Sequence, residues 1–220
     1  MRGSDDGSVI GGATADYDLS QQVFTIMSYN DGWTLSPYGQ PKSGGLTGTD
    51  VEHFGWMGTL APLDIAVLQD KYGVNEDHAT GDDTYVLKDE NAPGTFYAAI
   101  WDAGGIDQIT YGGARDTMID LRAATLEYEE GGGGRVSYAY GIHGGYVIAN
   151  GVTIENASSG SGADTLNGNG GTNVLSANAG ADVLNGFDGD DLLTGERGTT
   201  RSAAARARTN SGSITSPAPT

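Results

Sequence analysis

The chain has 220 residues, with 11 basic and 29 acidic side chains, 37 glycines, no cysteine and a net charge of −18. So acidic a chain does not bind nucleic acid by neutralising phosphates, and it is unsuited to an anionic membrane surface. Without cysteine it has no disulfide, no thiolate nucleophile and no thiolate zinc site. Glycine far above the usual ~7 % excludes a mainly helical chain, and the lack of a strict triplet excludes collagen.

The charge is uneven. All the acids lie at or before Glu196, and four of the eight arginines (Arg197, Arg201, Arg206 and Arg208) follow it. Acids interspersed with glycine fit either a solvated acidic surface or the oxygen ligands of a hard cation such as calcium. The opening residues MRGSDDGSVIGGATADYD are polar and contain no apolar core of a secretory signal. No run approaches the ~18 apolar residues that span a bilayer. The length allows one or two domains. The expected chain is soluble, with no membrane insertion, and export would need a route without an N-terminal signal.

In chain order, the first patterned segment is QVFTIMSYNDGWTLSP at residues 22–37. A methionine in such a run is ordinarily core filler. Residues 62–73, PLDIAVLQDKYG, predict a short helix, with Pro62 at the first helical position and Gly73 just past the end. Ile65, Leu68 and Tyr72 share one face, as do Leu63 and Val67. Short β-like runs follow at 84–87, 95–101, 106–111, 135–140 and 146–154, separated by glycine-rich turns. They predict an antiparallel or mixed β region. Two acidic clusters lie here: TGDDTY at 80–85, and WDAGGIDQI at 101–109 with Asp102 and Asp107 around two glycines. Each reads as a polar turn or as a cation site.

From Gly160 to Thr194 the chain repeats with a period of nine. Gly162, Gly171, Gly180 and Gly189 are in phase. Asp164, Asn173, Asp182 and Asp191 follow two places later, and Leu166, Leu175, Leu184 and Leu193 two places later again. Glycine lets the chain turn tightly around an ion, the Asp supplies a carboxylate, and the leucine ends a short strand and points inward. Two units make one coil of a parallel β-roll. Units two apart stack, pairing Asp164 with Asp182 and Asn173 with Asp191, and calcium between them relieves carboxylate repulsion. Asn173 replaces an Asp, so its site should be weaker. The fifth unit fails, with Thr200 where an Asp belongs. The basic, Ala/Ser/Pro-rich stretch beyond it has no apolar period. It reads as disordered, as after a reading-frame change.

The repeat resembles the RTX nonapeptide G-G-x-G-x-D-x-U-x of calcium-binding β-rolls. Taken with TIMSY, NDGW, FGWMGTLAPLDIAVLQDKYGVN, FYAAIWDAGGIDQI and GVTIENASSGSGADTL in that order, residues 18–195 resemble the C-terminal half of serralysin-type metalloproteases. These are secreted zinc endopeptidases of the metzincin group. The resemblance implies that Met27 is the Met-turn methionine, an apolar floor beneath the zinc site. It implies too that Tyr29 is the tyrosine that approaches the zinc and later donates to the tetrahedral intermediate. It also implies calcium ligation by Asp83, Asp102 and Asp107 with carbonyls of Ala79, Gly81 and Gly104. A neighbouring ion would use Asp107, Glu155 and the carbonyls of Gly105 and Thr153. In the roll the ligands would be Asp164, Asn173, Asp182 and Asp191, with carbonyls of Gly160, Gly162, Gly171, Gly180 and Gly189. Position 83 departs from the family's threonine.

A metzincin also needs H-E-x-x-H-x-x-G-x-x-H before the Met-turn. This sequence has only His53, His78 and His143, none before Met27 and none at that spacing. Tyr29 is the only candidate zinc ligand. The expected fold is mainly β with a short helical part, a metzincin catalytic remnant joined to a parallel β-roll. The expected division is 1–77 catalytic remnant, 78–157 β-rich connecting region with calcium sites, 158–196 RTX β-roll and 197–220 disordered tail. The expected function is that of the calcium-binding part of a secreted, extracellular zinc metalloendopeptidase. It would act by family on protein or peptide substrates, with the chain a monomer and inactive alone. The competing reading is a non-enzymatic secreted RTX structural or interaction module.

Overall fold

The computed structural model describes residues 21–28, 33 and 55–195, together with the backbone of 201–204. The helix α1 spans Pro62–Tyr72. Pro62 opens it, and Asp64 reaches back to accept the Ala61 N–H (3.2 Å). Gly73, with φ +88°, closes it by donating its N–H to the Gln69 carbonyl (2.9 Å). Its buried residues are Pro62 and Ile65. Tyr72 and Val67, expected on packed faces, are exposed. The helix is covered mainly over its first turn and a half; Leu68 and Gln69 are half-buried and its last three residues are exposed.

Twelve strands follow among the described residues: β1 Thr84–Val86, β2 Tyr97–Ile100, β3 Gln108–Thr110, β4 Thr117–Asp120, β5 Val136–Ala139, β6 Gly145–Ile148, β7 Asn156–Ser158, β8 Thr165–Asn167, β9 Val174–Ser176, β10 Val183–Phe187, β11 Leu192–Thr194 and β12 Arg201–Ala204. They form a five-stranded sheet in the order β1-β3-β7-β9-β11 and a seven-stranded sheet in the order β12-β10-β8-β4-β5-β6-β2. The first sheet is parallel throughout. The second is parallel from β12 to β4, then antiparallel through β5 and β6. The mixed β region expected before the repeats is therefore present, and the five-stranded sheet runs without a break across residues 157–158.

From β7 onward the chain alternates between the sheets, so each coil of the roll contributes one short strand to each. Every three-residue strand sends its central side chain inward. On one sheet these stack as Ile109, Ala157, Leu175 and Leu193; on the other as Ile119, Leu166 and Leu184. All but Leu193 are fully or almost fully buried. The repeat leucine thus stands inside its strand rather than at its end. Burying each leucine is worth roughly 1.5–3 kcal/mol, shared between coils rather than within one.

Two strands carry no sequence signal of the expected kind. β7 is Asn-Ala-Ser, and only its alanine faces the core. β4 lies in TMID, too short to show alternation. The region expected to be disordered from 197 onward contains β12, which pairs in parallel with β10, Val183 opposite Arg201. The partners are eighteen residues apart, the same offset as Thr165 and Val183. Ladder hydrogen bonds use backbone groups alone, so a strand can join in phase after the acid and leucine columns have ended.

Candidate metal centres

The position just before each strand of the five-stranded sheet is Asp83, Asp107, Glu155, Asn173 and then Asp191. Parallel pairing stacks them in one column. Beyond Asp83, each side chain in this column reaches back to the coil before it. Asp107 Oδ1 accepts the Asp83 N–H (2.7 Å), Glu155 Oε2 accepts the Asp107 N–H (2.8 Å), and Asp191 Oδ1 accepts the Asn173 N–H (3.0 Å). In the second column Asp182 Oδ1 accepts the Asp164 N–H (3.1 Å). The sequence pairings of Asp164 with Asp182 and of Asn173 with Asp191 are those of the fold.

In four aspartates of these columns one oxygen accepts a hydrogen bond and the other does not. Oδ2 of Asp107, Asp164, Asp182 and Asp191 is buried without a hydrogen-bond partner. A buried, uncompensated carboxylate costs several kcal/mol. Burial pushes the Asp107, Asp182 and Asp191 carboxyls above the usual carboxylate range. The negative charges of Asp102, Glu155 and Asp83 add to this at Asp107, as does Asp164 at Asp182. A cation is the group that would relieve it.

At the first coil the ligand oxygens of Asp83, Asp102 and Asp107 all lie within 4.8 Å of one another, the one such cluster among the described residues. Asp102 is oriented by the Tyr85 hydroxyl (2.6 Å) on Oδ2 and the Gly104 N–H (3.0 Å) on Oδ1. Burial and the hydrogen bond to Asp102 push the Tyr85 phenol well above its ordinary range, so it stays a donor. Gly105 sits so close to the Gly81 carbonyl that an added Cβ would lie 2.1 Å from that oxygen. The Ala79 carbonyl accepts the Ala103 N–H (3.2 Å), tying the two halves of the site together. Asp82, adjacent to the predicted ligand, accepts the Ile106 N–H (2.9 Å) and fixes the 101–107 turn. Of the neighbouring set, the fold brings Asp107 and Glu155 together, while Thr153 is exposed.

Repeat glycines make the same close approach. A Cβ on Gly180 would lie 1.9 Å from the Gly162 carbonyl oxygen, and one on Gly189 2.1 Å from that of Gly171. Gly160 meets the Gly113 carbonyl in the same way. Backbone oxygens are thus packed into the gaps beside the unpartnered carboxylates, a hard-oxygen donor set suited to calcium. Asn173 differs from the aspartates. Its Oδ1 accepts the Asn169 N–H (2.8 Å) and its Nδ2 donates to the Glu155 carbonyl (3.0 Å), so protein groups already satisfy it.

Met27 is 81 % exposed, on a turn closed by the Ser28 N–H and the Thr25 carbonyl. It is not core filler. Asp64 pins that turn to α1 by accepting from the Thr25 hydroxyl and the Ile26 N–H, both at 2.8 Å. Tyr29 and His53 lie outside the described residues. His78 packs its ring against Trp101, 5.7 Å between centroids.

Residues 63–196 match the family described as Peptidase M10 serralysin C terminal. The chain is 32 % identical over 173 residues to serralysin of Proteus mirabilis, covering 74 % of this chain and 30 % of that protein. It is 36 % identical over 165 residues to serralysin C of Dickeya chrysanthemi, covering 69 % and 29 %. It is 35 % identical over 168 residues to metalloprotease AprA of Pseudomonas entomophila, covering 70 % and 30 %. The matches span about 30 % of the length of these curated relatives.

Proposed function

Because the chain belongs to the serralysin C-terminal family of the M10 peptidases, we propose that it is the calcium-binding C-terminal part of a secreted zinc metalloendopeptidase. The observation that carries this reading is the stack of buried carboxylates with one oxygen bonded and one left bare. One ion would take Asp83, Asp102 and Asp107 with carbonyls of Ala79, Gly81 and Gly104. A second would take Asp107 and Glu155 with carbonyls of Gly105 and Thr153. Two more would sit between Asp164 and Asp182, and between Asn173 and Asp191, with carbonyls of Gly160, Gly162, Gly180, Gly171 and Gly189. Calcium supplies charge compensation there. An ion bound only by the folded roll stabilises it by mass action, about 2.7 kcal/mol at a hundred times its dissociation constant.

Proteolysis belongs to the family's full-length enzymes, on protein substrates in an extracellular, calcium-rich medium. In that setting Met27 would floor the zinc site, and Tyr29 would approach the metal. This chain has no H-E-x-x-H, and with it neither the paired histidines nor the general-base glutamate. By itself it binds calcium as a monomer and does not cleave protein.

A calcium titration followed by far-UV circular dichroism and limited proteolysis tests the reading. Ordering of residues 79–195 at millimolar calcium is expected, and an unchanged spectrum and digestion pattern would overturn it. Casein hydrolysis by the purified chain, abolished by chelation, would overturn the assignment of inactivity.

A further inference from the structure

The turn before β4 belongs to the same stack, although its sequence hides this. Strand β4 pairs with β8 so that Ile119 lies opposite Leu166 and Met118 opposite Thr165. Thr117 therefore holds the place that Asp164 and Asp182 hold in the following coils, and Arg115 the place of their Gly162 and Gly180. The backbone agrees. A Cβ on Gly162 would lie 2.3 Å from the Arg115 carbonyl oxygen, as one on Gly180 would lie 1.9 Å from that of Gly162.

What differs is how this step of the stack is held. The Thr117 N–H and the Thr117 hydroxyl both donate to Asp164 Oδ1, each at 2.8 Å. Asp116 Oδ1 accepts the Ala163 N–H (2.7 Å), and the Ser161 N–H donates to the Gly113 carbonyl (3.1 Å). At the next step Asp164 offers Asp182 one N–H, at 3.1 Å, and a second carboxylate beside it. In the column position facing Asp164, a threonine replaces an acid. The charges around this turn are Asp116, turned to the Ala163 amide, and Arg115, paired with Asp89 at 3.0 Å. β4 is itself held by antiparallel pairing to β5, Thr117 opposite Ala139. On its far side the Asn167 amide donates to Asp120 Oδ2 (3.0 Å), and the Leu121 N–H donates to the Asn167 carbonyl (2.8 Å).

We propose that the Gly113–Thr117 turn is a calcium-independent seed for the roll. Without calcium, residues 160–167 stay docked on β4, because Asp164, although its Oδ2 is bare too, has its Oδ1 held by two neutral donors from Thr117, while β10 and β11, whose preceding aspartates each accept a single N–H, come away. A docked first coil removes most of the loop-closure cost of adding the next one, so binding of the ion extends a preformed edge rather than nucleating a new one. The inference rests on the calcium reading above.

Hydrogen exchange of the full chain, in millimolar calcium and with a chelator, tests it. On chelation the amides of 183–185 and 192–194 are expected to lose more than about tenfold in protection, and those of 165–167 less than about threefold. Loss of β8 together with β10 and β11 would overturn the seed while leaving the calcium reading intact. Equal protection of all three strands in both conditions would overturn the calcium reading and the division with it. Thr117→Val removes one donor at nearly constant volume. It should unprotect 165–167 with the chelator but not in calcium, and retained protection in the variant would overturn the role of the Thr117 hydroxyl.

Discussion

Asp107 accepts the Asp83 N–H on one carboxylate oxygen at 2.7 Å and keeps the other buried and unbonded. The backbone N–H of the same residue donates to Glu155 Oε2 at 2.8 Å. It thus sits between two coils and beside Asp102. Asp107→Asn removes the charge and keeps the shape. Calorimetry should show at least a tenfold loss in affinity at the tightest site, about 1.4 kcal/mol. The chelated protein should be no less stable than the parent, because the uncompensated charge has gone.

Acidity should act in opposite directions with and without the ion. Burial raises the carboxyls of Asp107, Asp182 and Asp191 in the metal-free fold above the unfolded value of about 3.9. A raised acid contributes stability that is complete below the unfolded value and lost as pH climbs through the folded one. Chelated protein should therefore melt at lower temperature as pH rises from about 4 towards neutrality. Calcium needs the ionised carboxylates, so the loaded protein should melt at lower temperature as pH falls. Parallel slopes in the two melting series would contradict this.

Asn173 and Asp191 offer the converse substitution. The Asn173 side chain is fully engaged by the Asn169 amide and the Glu155 carbonyl. Asn173→Asp loses the donation to Glu155 and adds a charge to the column. The variant should gain affinity in a calcium titration and lose about 1–3 kcal/mol in chelator, read from denaturant midpoints.

Three turns hold a residue other than glycine at positive φ, four places before the column acid: Ala79 (φ 49°), Asn178 (φ 50°) and Phe187 (φ 63°). Glycine adopts this conformation without strain. Ala79→Gly should stabilise the protein by about 0.5–1 kcal/mol in thermal or denaturant unfolding. Phe187→Gly should gain less or lose, because the Phe187 ring lies 4.7 Å beneath the Arg122 guanidinium.

The stacked leucines should tolerate little. Leu184 is wholly buried opposite Leu166, while Val183 beside it is 37 % exposed. Leu184→Ala should cost about 2–5 kcal/mol. Val183→Thr should change unfolding by no more than about 0.5 kcal/mol.

The nine-residue phase alone determined the roll: it fixed which side chains stack, which face inward and which acids meet, because a period-two strand leaves a central leucine no other direction. Helix α1 was legible from Pro62 and Gly73, but not how little of it is covered, since packing depends on what lies beneath Val67 and Tyr72. The cluster of Asp83, Asp102 and Asp107 was placed by family resemblance, and only chain folding brings residues 24 positions apart within ligand distance. The strands β4, β7 and β12 were hidden because backbone pairing asks nothing of the side chains. The turn at 113–117 was hidden for the same reason: tertiary register, not residue identity, makes Thr117 and Arg115 the counterparts of an aspartate and a glycine. Sequence carries the demands of side chains; where the hydrogen bonds belong to the main chain, only the assembled sheets say which residues stand together.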